Sequence, residues 1–165
     1  IMGYTDTQNL KLKKLPFSFA VYDLETVKVL SQFQQNCKLH IFDDTGLQRE
    51  GVPIEELPDF IKQIIKMPNI EIEGLMSHLA SSNSKNDKLF LDQINNFKKA
   101  KLILKELGIK PKLIHIGASG SITNPQTRLI ISGISNVART GLALYGYPAI
   151  SKNTGLKPAL SFQAK

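Results

Sequence analysis

Short apolar runs alternate along this chain with longer stretches whose apolar residues return every three or four positions. Residues 17–21 read as a strand, and Asp23 is placed to cap a helix with Val27, Leu30 and Phe33 inward. Residues 39–42 form the next run and close on the polar turn Asp43-Asp44-Thr45-Gly46. A helix is expected from Ile54, favoured by Pro53 and tolerating Pro58 near its first turn, with Leu57, Phe60, Ile61, Ile64 and Ile65 as its buried stripe. Residues 70–76 are a third strand, ending at Ser77-His78. The longest helix is expected over 89–107. Phe90, Ile94, Phe97, one of Ile103 and Leu104, and Leu107 face inward, and Gly108 closes it just past the last turn. Residues 113–116 form a fourth strand, the small residues 117–121 turn into a short helix, and 136–147 hold the last strand.

Strands that alternate with helices in this way imply parallel β/α units. Polar residues collect just after the strands: Asp44-Thr45-Gly46 with Arg49, Ser77-His78, His115 with Ser119, and Arg139 with Gly141. A closed β/α barrel points all such strand ends at one face, where its sites lie. A doubly wound sheet would also bind ligands there, so periodicity alone leaves the two open.

Composition narrows the class. The 165 residues suit one domain, 42% hydrophobic and 21% charged, the balance of a soluble globular protein. No window approaches the ~20 apolar residues of a membrane span, and the first residues lack the pattern of a signal peptide. Cys37 is the only cysteine, which excludes an internal disulfide and suits a reducing compartment, so a cytoplasmic protein is expected. The net charge of +7 raises nucleic acid as a partner. However, the lysines concentrate at 11–14 and on one helix, at Lys98, Lys99, Lys101 and Lys105, with no aromatic platform beside them. No nucleic acid and no membrane are therefore expected, and an acidic small molecule or phosphate group suits the surplus better. The three histidines are too scattered for a metal-ligand pattern, so no metal is expected.

The candidate chemistry sits in four loops. Arg49 lies in a loop bracketed by Gly46 and Gly51, where its fork of donors suits an anion, although local physics alone favours a turn with a surface arginine. His78 and His115 end apolar strands, as rim or core histidines also do. Ser119 sits in the small-residue turn Gly117-Ala118-Ser119-Gly120-Ser121, which suits a phosphate but lacks nucleotide-loop spacing. Arg139 enters a nearly apolar region and needs an acceptor there, either a structural ion pair or a ligand group.

Taken in order, four strings make the chain resemble the alanine racemase family of fold-type III pyridoxal-phosphate enzymes. They are DTGLQREGV at 44–52, EGLMSHLASSN at 73–83, HIGASGSI at 115–122 and VARTGLALYGY at 137–147. The resemblance implies an α/β fold of the (β/α)8 TIM-barrel type, here an incomplete barrel of about strands 3 to 8. Residues 1–150 would be the pyridoxal-phosphate-binding barrel. Residues 151–165 would be the linker and start of a C-terminal β domain, entered through Gly155-Leu156-Lys157-Pro158-Ala159-Leu160. It also implies roles. Arg49 would reach the cofactor's phenolic oxygen and the substrate carboxylate, and Ser119 with the amides of Gly141 and Leu142 would hold the phosphate. Arg139 would face the pyridine nitrogen, His115 would hold Arg139, and His78 would line the site. The family's cofactor-bound lysine maps upstream of Ile1, and its tyrosine base maps to the C-terminal domain of the other subunit of a homodimer. Two residues depart from the pattern. Phe42 stands where a carbamylated lysine often supports the arginine, leaving Asp43 as a substitute support, and Ala118 stands where asparagine is common. The implied activity is interconversion of L-alanine and D-alanine, feeding cell-wall synthesis. The alternatives are a racemase for serine or a broader amino-acid range, and an inactive fragment that only binds the cofactor phosphate.

Overall fold

The computed structural model describes residues 2, 6–82, 84–147 and 155–159. Its elements follow the chain as β1 (Ser18–Val21), α1 (Leu24–Phe33), β2 (Cys37–Asp44), β3 (Val52–Pro53), α2 (Leu57–Ile64) and β4 (Ile70–Met76). After these come α3 (Lys88–Glu106), β5 (Leu113–His115), β6 (Gly117–Ala118), α4 (Ser119–Thr123), α5 (Pro125–Ser132) and β7 (Ala138–Arg139). The main sheet runs β1-β2-β4-β5, parallel throughout, with β3 paired to the end of β2, and β6 pairs with β7 in parallel. Neighbours in space are thus neighbours in sequence, with no reversal of order. A doubly wound sheet reverses at its switch point, so the order is that of a barrel segment. Where β5 ends, Asn136 takes over the ladder. Its side chain accepts from Ile114 N at 2.7 Å and donates to Lys112 O at 2.7 Å, carrying the curve toward β7.

The helices cover one face. Leu39, Ile41 and Leu75 of the sheet pack with Val27, Leu30, Leu57, Ile61, Ile64, Phe90, Phe97 and Leu104 in one apolar core. Phe90 and Phe97 are fully buried, seven residues apart and therefore on one stripe of α3. Asp23 and Asp87 cap α1 and α3 as side-chain acceptors, the latter for Leu89 N and Phe90 N. Gly108 follows α3 with φ +76, a left-handed residue that lets the chain turn out of the helix.

Five points differ from expectation. α2 starts at Leu57 instead of Ile54, because residues 54–56 form a turn closed by Glu56 N to Pro53 O at 3.0 Å, and Pro58 falls in the first helical turn. Ile65 is exposed because the helix stops at Ile64, and Phe33 is exposed because it is the last residue of α1, with the Lys11 ammonium over its ring. Val52–Pro53 forms a short strand that the sequence did not suggest. The last strand shrinks to Ala138–Arg139, since a 3-10 turn takes Leu142–Tyr145. Asn83 and most of the expected linker, 151–154 and 160–165, lie outside the described residues.

Candidate functional site

The inner face of the sheet, opposite the helices, is polar. Along β2, Lys38, His40, Phe42 and Asp44 share this face by strand alternation. On β4 the register with β2 slips, pairing Leu39 with Ile72 and His40 with Gly74, so Glu73 is the extra residue of a bulge. The bulge turns Glu73 inward, where it accepts from Lys38 Nζ at 2.7 Å and from the Ser18 hydroxyl at 2.8 Å. The lysine bond, together with the other donors, holds the Glu73 carboxyl down to about 2. Gly74 leaves room beside it, because a Cβ at that position would strike the His40 ring.

Arg139 sits where β4, β5 and β7 end. Its Nη1 donates to His115 Nδ1 and, at 3.0 Å, to His115 O. Its Nη2 donates to Ser77 O and lies 3.3 Å from His78 Nδ1. It makes no ion pair with a carboxylate among the described residues. Burial lowers it to about 10, which still leaves it charged near neutrality. Behind it His115 Nε2 meets His40 Nδ1 at 2.6 Å, and His40 Nε2 meets Glu73 Oε2 at 3.3 Å. Burial first, and then the Arg139 charge, depress His115 to about 3 and lower His78 as well. His40 is lowered chiefly by burial. All three imidazoles are neutral near pH 7.

At the next strand end Ser119 is buried, and its hydroxyl accepts from Gly141 N at 3.0 Å and Ala143 N at 3.2 Å. The second amide that bonds Ser119 is that of Ala143. Leu142 is exposed, and its carbonyl accepts from Tyr147 N. Accepting both amides leaves the Ser119 O–H free to donate.

The arginine loop is built by Asp44, whose carboxylate accepts from the amides of Gly46, Leu47 and Gln48 at 2.9 to 3.1 Å. Arg49 at its tip is exposed and pairs with Glu50. Asp43 gives it no support: it shares the other face of β2 with Leu39 and Ile41, and neither of its oxygens has a hydrogen-bond partner among the described residues. Phe42 is buried and packs edge-on against Tyr22, ring centroids 6.2 Å apart.

Arg139, His115, His78 and Ser119 therefore gather along adjacent strand ends, with Arg49 on a loop at the rim. Sequence reasoning left out His40 and Glu73, and also Gln93. Gln93 is fully buried on α3, accepts from Ala80 N and donates to Thr45 Oγ1 and His78 O. A glutamine inside an apolar helix stripe was the available signal for the last. For His40, the signal was its place two residues before Phe42 on the inner face.

The fold is that of a parallel β/α-barrel segment, with Arg139 and Ser119 at its strand ends. The chain belongs to the alanine racemase family: residues 1–149 match the alanine racemase N-terminal domain. It is 31% identical over 174 residues to alanine racemase 2 of Caldanaerobacter subterraneus subsp. tengcongensis, with 100% of this chain and 44% of that protein aligned. It is 33% identical to the alanine racemase of Clostridium tetani, over 99% of this chain and 43% of that one. Among solved structures, the Clostridium difficile 630 alanine racemase in complex with cycloserine superposes with TM-score 0.82 at 28% identity, covering 95% of this chain and 44% of that one. The chain spans less than half the length of these relatives.

Proposed function

We propose that this chain is the pyridoxal-phosphate cradle of an alanine racemase, an isomerase that in its complete form interconverts L-alanine and D-alanine. The observation that carries this is Arg139: a half-buried cation with no carboxylate partner among the described residues, fixed by His115 and the Ser77 carbonyl at the strand ends. A guanidinium has five N–H donors, and those left over can serve a further acceptor such as a pyridine nitrogen. Ser119, with the backbone amides of Gly141 and Leu142, would hold the phosphate, the buried Ser119 hydroxyl donating while its oxygen accepts from Gly141 N.

When bound, the cofactor supplies an electron sink that acidifies the Cα hydrogen of the amino acid. Arg139, charged at neutral pH, would donate to the ring nitrogen and keep a proton off it. This moderates the sink and favours return of the Cα proton over side reactions. His115, neutral and accepting at Nδ1, would hold Arg139 in that pose, and neutral His78 would line the site without adding charge. Arg49, on its Asp44-stapled loop, would exchange Glu50 for the substrate carboxylate, where its fork suits bidentate pairing. The family's lysine and tyrosine, which move the Cα proton, map to no residue of this chain. The homodimer, the cytoplasmic setting and the supply of D-alanine to the cell wall belong to the same reading. No helix among the described residues is long and apolar enough to cross a membrane.

The test is racemisation by the protein expressed from its whole reading frame and loaded with pyridoxal phosphate. L-alanine in D2O is expected to reach a near-equal mixture of enantiomers with deuterium at Cα. Loaded protein that leaves both chirality and Cα hydrogen untouched would overturn the reading.

A further inference from the structure

We infer that Glu73 is a positioning residue that acts on the site through two histidines, by dictating which of their nitrogens carry protons. The inference rests on the cradle reading only for what Arg139 serves; the proton order itself follows from the contacts.

The chain Glu73–His40–His115–Arg139 has an obligate acceptor at one end and an obligate donor at the other. An ionised carboxylate only accepts, and a guanidinium only donates. Glu73 is held ionised by Lys38 and Ser18, so the His40 nitrogen facing it, Nε2, must carry the hydrogen. A neutral imidazole then has a bare Nδ1, and the 2.6 Å contact to His115 requires the hydrogen on His115 Nε2. His115 Nδ1 is left bare, and its lone pair receives Arg139 Nη1–H. One arrangement satisfies every link. A further proton on either ring would set two donors against each other, and reversal of either ring would turn an N–H on Arg139 or set a bare His40 nitrogen against the Glu73 carboxylate. The groups facing the chain are Ser18 from β1, Lys38 from β2, Glu73 from β4 and Arg139 from β7, with His78 beyond the arginine. None of these supplies a second acceptor for His115. Two local features exist to make the chain: the bulge that turns Glu73 inward, and Gly74, whose missing Cβ admits the His40 ring. Glu73 thus holds Arg139 in its ligand-facing pose from two imidazoles away.

Nitrogen-15 spectra of the histidine rings in the purified whole protein test this without cofactor or turnover. From pH 6 to 8 both His40 and His115 are expected neutral with the hydrogen on Nε2. Glu73→Gln offers His40 an acceptor or a donor, and is expected to give a mixture of ring forms and a roughly tenfold loss of pyridoxal-phosphate affinity. Lys38→Met removes the ion pair but keeps the acceptor, and is expected to leave both ring forms as they are. A hydrogen on His115 Nδ1 in the unsubstituted protein would overturn the inference, as would ring forms that ignore Glu73→Gln. So would Lys38→Met and Glu73→Gln producing the same change, since the effect would then be general loosening. Should Glu73→Gln not fold, the ring forms of the unsubstituted protein still decide. A protein that shows this proton order yet fails to racemise alanine would sink the cradle reading and leave the relay standing.

Discussion

Asp43 lies fully buried on the helix-facing side of β2 with no donor to either oxygen among the described residues. Burial, aided by the charges of Asp44 and Glu55, pushes its carboxyl up to about 8. The folded protein keeps that proton while the unfolded chain has released it, so between the ordinary value of 3.8 and about 8 stability falls as pH rises. Asp43→Asn keeps the shape and cannot ionise. It is expected to match the parent near pH 4 and to exceed it at pH 8 by at least ~1 kcal/mol in urea melts, since a tenfold change in proton affinity is worth about 1.4 kcal/mol. Equal stability at both pH values would contradict the burial argument. Ser119→Ala removes the hydroxyl of the proposed phosphate cradle, and the expected outcome is a tenfold weaker hold on pyridoxal phosphate by equilibrium dialysis, about 1.4 kcal/mol. Arg139 and Ser119 were legible in the sequence because each breaks an apolar or small-residue run at a strand end. Glu73 and His40 were not, because ideal alternation puts Glu73 on the face of Leu75 and only the bulge brings it inward. Asp43 was legible only as a turn residue, and its orphaned carboxyl emerges from packing.

α3 does more than cover the sheet. Its apolar stripe buries Phe90 and Phe97, while Gln93 on the same stripe ties together the loops after β2 and β4 through Thr45, His78 and Ala80. Gln93→Ala would take their Gln93 partner from the Ala80 amide and the His78 carbonyl and one of two bonds from the Thr45 hydroxyl, and is expected to cost roughly 1–3 kcal/mol in thermal or chemical melts. A loss under ~0.5 kcal/mol would mean that water or a shifted loop replaces it. α1, β4 and α3 were readable to within a residue or two because their periodicity is long and their caps, Asp23 and Gly108, are unambiguous. α2 and β7 were misjudged for local reasons. Three residues after Pro53 close a turn before the helix begins, and the stretch after Arg139 winds into a 3-10 turn in place of continuing a strand.

For the whole molecule the buried titrating groups pull in opposite directions. His115, His40 and His78 are all held below their ordinary value of 6.5, His115 down to about 3. Their contribution is fully present above 6.5 and is lost as pH falls, because the unfolded chain then binds protons that the folded one refuses. Asp43 acts the other way up to about 8. Stability is therefore expected to peak near pH ~6.5–7 and to fall more steeply on the acid side, with Asp43→Asn flattening the alkaline side and steepening the acid side. Melting temperatures measured from pH 5 to 9 check both limbs, and a steady rise from pH 5 to 9 in the parent would contradict the assignment.

The same assembly of neutral histidines around one charged arginine makes the most direct test a measurement on the cofactor ring. The whole protein is loaded with pyridoxal phosphate labelled with nitrogen-15 in the ring, and the resonance of that nitrogen is followed from pH 6 to 9. With Arg139 donating to it, the ring nitrogen is expected to read as unprotonated and hydrogen-bonded throughout, and to move when Arg139 is replaced by glutamine. A nitrogen that is protonated at pH 7, or indifferent to Arg139→Gln, would mean that the arginine faces something else and that the cradle has been misread.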